Sequence, residues 1–222
     1  MTDDHARSPV SSQLQTHWNA AYQRNATDKV SWYEARPTIS LAMIEACALP
    51  RDARIIDIGG GASKLAANLL AAGYQTVTVL DIAQTALDAA REAAGPGASR
   101  INWICADVTQ WQPHLTFDLW HDRAVFHFLV DPADRLRYIE TIRRTLAPGG
   151  YLVLATFAPD GPERCSGLPV MRYAADDIAA LLRPDFVLRE QRVHTHQTPS
   201  GVAQRFSYAR LQRTDLQNTK LN

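Results

Sequence analysis

The stretch Arg54-Ile55-Ile56-Asp57-Ile58-Gly59-Gly60-Gly61-Ala62-Ser63 limits the possible folds of this chain more than any other. A short apolar run carrying one acid breaks into three glycines and resumes as Leu65-Ala-Ala-Asn-Leu-Leu-Ala-Ala72, which has helical composition. That pattern reads as a buried strand, a tight turn and a helix N-terminus. Glycine at 59–61 permits positive φ and lets a ligand approach without meeting a Cβ. An ordinary β-α turn and a nucleotide-type loop share this pattern, so the residues beyond Ser63 must decide between them.

Beyond the loop the chain alternates strictly. Apolar runs at 76–80, 101–105, 117–121 and 151–157 read as strands, and the stretches 83–94 and 132–146 read as helices. Gly95-Pro96-Gly97 and Pro148-Gly149-Gly150 mark turns. This β-α-β-α order predicts an α/β fold, a parallel sheet with helices on both faces. The tail adds a Gly/Pro-rich loop at 158–169, a helix at 174–182 and strands at 186–194 and 203–211. Thr198-Pro199-Ser200-Gly201 is short enough to join the last two as an antiparallel hairpin, giving one reversed strand near an edge.

Ahead of the central loop, residues 1–12 are polar and expected to fray. Residues 13–24 read as an amphipathic helix with Leu14, Trp18 and Tyr22 at four-residue spacing. A polar turn at 25–28 precedes Val30-Ser31-Trp32-Tyr33, and Pro37 suits the first turn of a helix at 38–48. Trp18 and Tyr22 are expected to staple this segment to the rest. Trp32 and Tyr33 are candidates for a pocket roof as well. The expected division is a helical cap at 1–36 and a main domain at 37–222.

Lys plus Arg total 23 and Asp plus Glu total 23, so the formal net charge is zero and no nucleic-acid footprint is expected. Arg135, Arg137, Arg143 and Arg144 read as a solvated helix face. Cys47, Cys105 and Cys165 are scattered and form no CxxC pair, which argues against a disulfide framework or a cysteine zinc site. His194 and His196 lack a carboxylate at ligand spacing, so no metal is expected. No apolar leader or membrane-length run is present, and a cytoplasmic protein is the expectation. Nothing in the chain sets an oligomeric state.

Ligands of open α/β sheets bind at the carboxyl ends of strands where strand order reverses. Those ends carry Asp57 with Gly59 and Gly61, then Asp81, then Asp107, then His121 with Asp122. Four carboxylates on one rim repel one another unless a ligand or hydrogen bonds use them.

In this register the chain resembles the class I S-adenosylmethionine (SAM)-dependent methyltransferases over roughly residues 30–211. Asp57-Ile58-Gly59-Gly60-Gly61 resembles that superfamily's first motif, whose acid lies near the methionine end of the cofactor. Asp81 matches the acid that takes the ribose hydroxyls, and Ile82 its apolar neighbour on the adenine. Asp107 and Val108 match the pair near the adenine amino group, and Pro148-Gly149-Gly150 the turn before strand five. The resemblance implies a Rossmann-like seven-stranded sheet in the order 3-2-1-4-5-7-6, strand 7 antiparallel. It also implies SAM as cofactor and S-adenosylhomocysteine (SAH) as product. Trp120 to Leu129 and Phe157 to Pro169 resemble segments of a bacterial branch of uncharacterised methyltransferases. The Asp122-Arg123 pair resembles both small-molecule thiol methyltransferases and some protein-lysine ones.

A methyltransferase has chiefly to align acceptor and methyl group and exclude water. A base is needed only where the acceptor must lose a proton, and His121, Asp122 and His127 stand where one is expected. Asp122, Arg123 and His121 are therefore the catalytic candidates, with His121 also near the cofactor. Trp32, Tyr33, His127, Arg164 and Cys165 are candidates for the acceptor pocket, although a core-packed histidine is the blander account of His127. Arg36, Arg123, Arg164 and Arg172 could converge on an anionic acceptor. The Asn/Asp-Pro-Pro-aromatic signature used on amide or base nitrogens is absent after strand four, which moves adenine-N6 and glutamine-type acceptors out of the front rank. A small-molecule acceptor is favoured, and a protein lysine is the alternative, which would need an open acidic cleft around Asp122. A SAM-binding protein without catalysis and an NAD(P)-dependent oxidoreductase are the readings from other classes. Lys64 stands where a dinucleotide fingerprint needs a third small residue, which disfavours the last.

Overall fold

A computed structural model describes residues 9–24 and 28–214. The first eight residues of the expected frayed start, and positions 25–27 of the expected polar turn, lie outside the described residues. The chain is helical from Pro9 onward, so α1 (Pro9–Arg24) begins four residues before the amphipathic pattern does. It is followed by α2 (Thr38–Glu45), β1 (Arg54–Ile58), α3 (Leu65–Ala71), β2 (Thr76–Asp81), α4 (Gln84–Ala94) and β3 (Ile101–Cys105). Then come β4 (Phe117–Arg123), α5 (Pro132–Thr145), β5 (Leu146–Phe157), α6 (Ala175–Leu181), β6 (Phe186–Gln197) and β7 (Ala203–Arg213).

The seven strands form one sheet in the order β3-β2-β1-β4-β5-β7-β6. Neighbours from β3 to β5 run parallel, and β7 is antiparallel to both β5 and β6. This is the sheet order that the methyltransferase resemblance implies. Both faces are covered, so the central strands are apolar almost throughout and do not alternate with polar residues. Successive side chains still point to opposite faces. Ile56 and Ile58 of β1 pack with Trp120, Tyr138 and Ile142 on the α5 side. Ile55 packs with Leu65, Leu69 and Met43 on the side of α2 and α3. Trp120 Nε1 donates to Tyr138 Oη at 3.0 Å, which ties β4 to α5 and satisfies a buried indole N–H.

Two local features differ from the sequence reading. Pro148-Gly149-Gly150 is not a turn ahead of a strand but a bulge inside β5. Phe117 pairs with Leu146 and Leu119 with Tyr151, so the intervening residues of β5 loop out, with Gly149 at φ 75°. The long loop at 158–169 contains a small antiparallel ladder, Arg164–Cys165 against Leu168–Pro169. Its turn residues Ser166 and Gly167 both have positive φ, as a tight two-residue hairpin requires. The basic residues of α5 are each engaged locally: Arg135 on the Leu129 and Val130 carbonyls, Arg137 on Asp134, Arg143 on Asp185, and Arg144 on the Trp111 carbonyl. No helix among the described residues is long and apolar enough to cross a membrane.

Candidate active site

The first two strand ends are welded together by one carboxylate. Asp81, at the end of β2, accepts from Gly61 N at 3.0 Å and from Ala83 N at 2.8 Å. Its two oxygens thus hold the glycine loop and the start of α4 in one arrangement and keep further lone pairs for a ligand. Burial pushes its pKa up to about 6 against the lowering effect of those two N–H donors, and the neighbouring Asp57 adds to the rise. Gly59 (φ 64°) donates to Leu80 O at 2.7 Å, and a Cβ there would lie 2.1 Å from Val125 Cγ2. At Gly61 a Cβ would lie 2.6 Å from Asp81 Oδ2 and 2.5 Å from Ala86 Cβ. These glycines are required by the packing of the loop itself. Gly61→Ala is expected to cost about 1–3 kcal/mol by overpacking. The check is a lowered denaturation midpoint at unchanged slope.

Behind the loop lies a buried hydrogen-bonded line. Asp57 Oδ1 meets His121 Nδ1 at 2.7 Å, and His121 Nε2 meets Ser40 Oγ at 2.8 Å. All three side chains are buried. The remaining oxygen, Asp57 Oδ2, has no protein partner, and a Cβ on Gly60 would lie 2.3 Å from it. An acceptor atom with free capacity therefore faces the glycine loop.

Two adjoining cavities sit above these strand ends. The larger is lined by Gly59, Asp81, Ile82, Asp107 and Val108 on one side. Leu14, Trp18 and Tyr22 of α1, with Trp32, Phe128 and Cys165, line the other. The smaller contains Asp57, Gly60, Ser63, His121, Ser40, Tyr33 and Glu34, and shares Ile58, Gly59, Trp32 and Arg123 with the larger. Helix α1 is tied over the rim through Gln15 Nε2 to Ile82 O at 2.9 Å, and through Asn19 Oδ1, which accepts from Thr85 N and Oγ1. Trp18 and Tyr22 thus do more than staple the segment down; they line the cavity. Leu14 and Phe128 also belong to the lining, and Ser40 and Glu34 to the smaller cavity. Leu14 stood out from sequence only as part of the amphipathic face, and Phe128, Ser40 and Glu34 were not singled out. A helical face in a pattern shows that it is covered without showing by what, and Ser40 had no motif around it.

Each rim carboxylate accepts hydrogen bonds, which offset the crowding of acids, while Asp57 still raises the Asp81 pKa. Asp107 Oδ1 accepts from Thr109 N at 2.9 Å and Thr109 Oγ1 at 2.7 Å. Asp122, expected after β4 to act on the acceptor, lines neither cavity and is fully buried. It accepts from Val125 N (2.8 Å), Phe126 N (3.0 Å) and Tyr138 Oη (2.5 Å), and so caps the turn that follows β4. Burial holds its pKa at about 6 despite these donors. That placement does not fit a group that touches the acceptor.

Arg123 does line both cavities, but its guanidinium is engaged. Nε donates to Tyr208 Oη (3.1 Å), Nη1 to Trp32 O (2.9 Å) and Nη2 to Glu34 Oε1 (3.1 Å), and the group lies over the Phe206 ring at 4.7 Å. Together with His196 Nε2 on Ser31 O at 2.8 Å, it anchors the 31–34 segment. Burial pushes the Glu34 pKa up, but His196 and Arg123 bring it below the usual range overall. His127 does not reach a cavity either. It packs between Phe128 and Phe157 at ring distances of 4.4 and 4.8 Å, and burial lowers its pKa to about 3. The core account of His127 is the one that fits. Arg164 turns onto Gly167 O, Arg36 onto Asn68, and Arg172 onto Gly161 O and Glu163, so the expected cluster of arginines does not form. Of the expected pocket residues, Trp32, Tyr33 and Cys165 line the cavities.

A glycine loop after β1, an acid closing β2, and Ile82 and Val108 in the wall of the adjoining cavity together make the arrangement expected of a SAM site. Residues 55–150 match the family model described as a methyltransferase domain. The chain is 34% identical over 87 residues to Nodulation protein S of Rhizobium tropici, covering 39% of this chain and 36% of that protein. It is 34% identical over 125 residues to trans-aconitate 2-methyltransferase of Streptomyces avermitilis, covering 54% of this chain and 45% of that one. The chain thus spans less than half the length of these two curated relatives. In fold it is similar to 1,6-didemethyltoxoflavin-N1-methyltransferase of Burkholderia thailandensis, with a TM-score of 0.72 at 20% identity over 96% of this chain and 94% of that one. The central segment is thus similar to methyltransferase domains, and the chain shares the fold of a methyltransferase solved with bound SAH.

The residues fit that cofactor. Asp81 retains lone pairs for vicinal hydroxyls, Ile82 and Val108 offer apolar contact to a flat base, and Asp57 Oδ2 is an unpartnered anionic acceptor for an ammonium group.

Proposed function

We propose that this protein transfers a methyl group from SAM to a small-molecule acceptor held beneath α1. When bound, SAM supplies an electrophilic methyl group on a sulfonium sulfur. The protein's share of the work is to bind, align and exclude water. Asp81, Ile82, Asp107 and Val108 would hold the adenosine end, and Asp57 with Gly59, Gly60 and Gly61 the amino-acid end. His121 and Ser40 would fix the Asp57 carboxylate so that Oδ2 stays turned toward the loop. Arg123 would serve as a positioning residue for Trp32 and Glu34. Asp122 would position the Val125–Phe126 turn, whose first residue lines the larger cavity.

The observation that carries the choice of acceptor is the roof. Leu14, Trp18, Tyr22 and Cys165 close over the cofactor side of the cavity, which suits a small molecule better than a protein side chain. A protein lysine would call for an open acidic cleft around Asp122, and that carboxylate is fully buried. The test is incubation with methyl-labelled SAM and a size-fractionated cell extract. Label should appear in the small-molecule fraction. Label confined to the protein fraction would overturn the acceptor assignment. No label despite bound SAM would overturn catalysis.

The Asp81 carboxylate must be ionised to accept from two hydroxyls. With its pKa near 6 in the free protein, SAM affinity should be flat above about pH 7 and fall as pH drops through that value. Titrations from pH 5 to 8 would check the sign; affinity that rises on acidification would contradict it.

A further inference from the structure

We infer that the acceptor is an uncharged, flat heteroaromatic molecule whose ring nitrogen attacks with its own lone pair. This rests on the methyl-transfer reading above and narrows it by the chemistry of the cavity wall. Trp18 stands edge-on to Trp32 at 5.8 Å and to Phe128 at 5.0 Å, and Tyr22 stands edge-on to Trp32 at 5.7 Å. All four line the larger cavity, so one connected set of rings covers the space beside the cofactor residues. A flat aromatic guest gains offset or edge-to-face contacts against such a wall, beyond simple burial.

The charges disfavour an anion. The larger cavity is lined by Asp81, Asp107 and Asp134, and its lining cation is Arg123. That guanidinium donates to Tyr208, Trp32 and Glu34, and its charge is balanced by Glu34 at 3.1 Å. With Asp81 and Asp107 given to the cofactor and Asp134 paired with Arg137, a carboxylate or phosphate placed here would be desolvated with no uncommitted side-chain cation to meet it.

The lining carboxylates are committed, Asp81 to Gly61 and Ala83, Asp107 to Thr109 and Asp134 to Arg137, and no other lining group is an evident base. Asp122 and His127 lie outside both linings, and His121 is bonded on both ring nitrogens within the smaller cavity. Tyr22 and Cys165 line the larger one, but burial pushes both their pKa values up, Cys165 to about 11. An aliphatic amine, protonated near neutrality, would have to lose a proton first. A pyridine-type nitrogen need not. Its lone pair forms the N–CH3 bond as the sulfonium S–CH3 bond breaks, with that electron pair remaining on sulfur. The positive charge passes from sulfur to the methylated ring, and no proton is exchanged.

The test uses the full chain saturated with SAH and titrated at mildly alkaline pH with isoquinoline, 1-naphthoate and cyclohexylamine. Isoquinoline is neutral and flat, naphthoate flat but anionic, and cyclohexylamine cationic and not flat. Isoquinoline should bind at least about tenfold more tightly than either. Replacing the ring in Trp18→Ala should weaken isoquinoline by about tenfold more than it weakens SAH. Trp18→Leu, which keeps apolar bulk, serves if the alanine variant fails to fold. With SAM in place of SAH, isoquinoline should gain the mass of one methyl group. Equal or tighter binding of naphthoate, or indifference of isoquinoline to both Trp18 variants, would overturn the inference. If SAH binds and isoquinoline does not, the acceptor class alone is lost. If neither SAM nor SAH binds, the methyl-transfer reading falls with it.

Discussion

Asp122→Ala is expected to destabilise the folded protein by about 3–5 kcal/mol, because it strands two buried donors and one part-buried donor at about 1–3 kcal/mol each, less what entering water returns. The donors are Val125 N, Phe126 N and Tyr138 Oη, and the carboxylate they surround has no exposure to solvent. Asp122→Asn should be milder, since the amide keeps one acceptor oxygen but turns an NH2 toward one of the donors. Denaturant titration at neutral pH reads this as a lowered midpoint at unchanged slope. Wild-type stability together with lost turnover would restore Asp122 to the reaction itself and overturn its assignment as a cap. The pH dependence has its origin in the same burial. A carboxylate whose pKa is raised to about 6 binds more protons folded than unfolded between about pH 4 and 6. Its contribution to stability is therefore greatest at low pH and declines as pH rises through that window. Asp81, raised to about the same value, acts with the same sign.

Asp81→Ala should weaken SAM by roughly 100-fold, about 3 kcal/mol, because charge-assisted hydrogen bonds to the ligand disappear together with the bonds that hold the loop. The same carboxylate fixes Gly61 N and Ala83 N, so the variant loosens the glycine turn as well as removing the ribose acceptor. Calorimetry with SAH separates the outcomes: both ligands should weaken together. Unchanged affinity would mean that the acid closing β2 does not face the ligand.

Which parts were legible from sequence has a physical pattern. The β1–α3 unit and the strand ends were readable because a parallel sheet buried on both faces forces apolar runs bounded by polar ends, whereas the strand order followed from the resemblance to methyltransferases. Asp81 and Asp122 look alike in sequence, each closing a strand. They differ in what the chain does next, and a short turn folds back onto Asp122 and encloses it. The Pro148-Gly149-Gly150 segment has turn composition, yet pairing continues on either side of it, which composition cannot report. The roof formed by Trp18 and Tyr22 depends on where α1 lands, and that depends on Gln15 meeting Ile82 O and Asn19 meeting Thr85 across the fold. Arg123 reads as a site residue beside an acid, but its partners Glu34, Tyr208 and Trp32 lie some 85–91 positions away in the chain.

The most direct test of the central claim is parallel calorimetric titration of the purified protein with SAM, SAH and NAD. Micromolar binding of SAM and SAH, with none of NAD, is the expected result. Binding of NAD in their place would mean that the Gly59–Gly61 turn and Asp81 serve a dinucleotide, and the methyl-transfer account would be wrong.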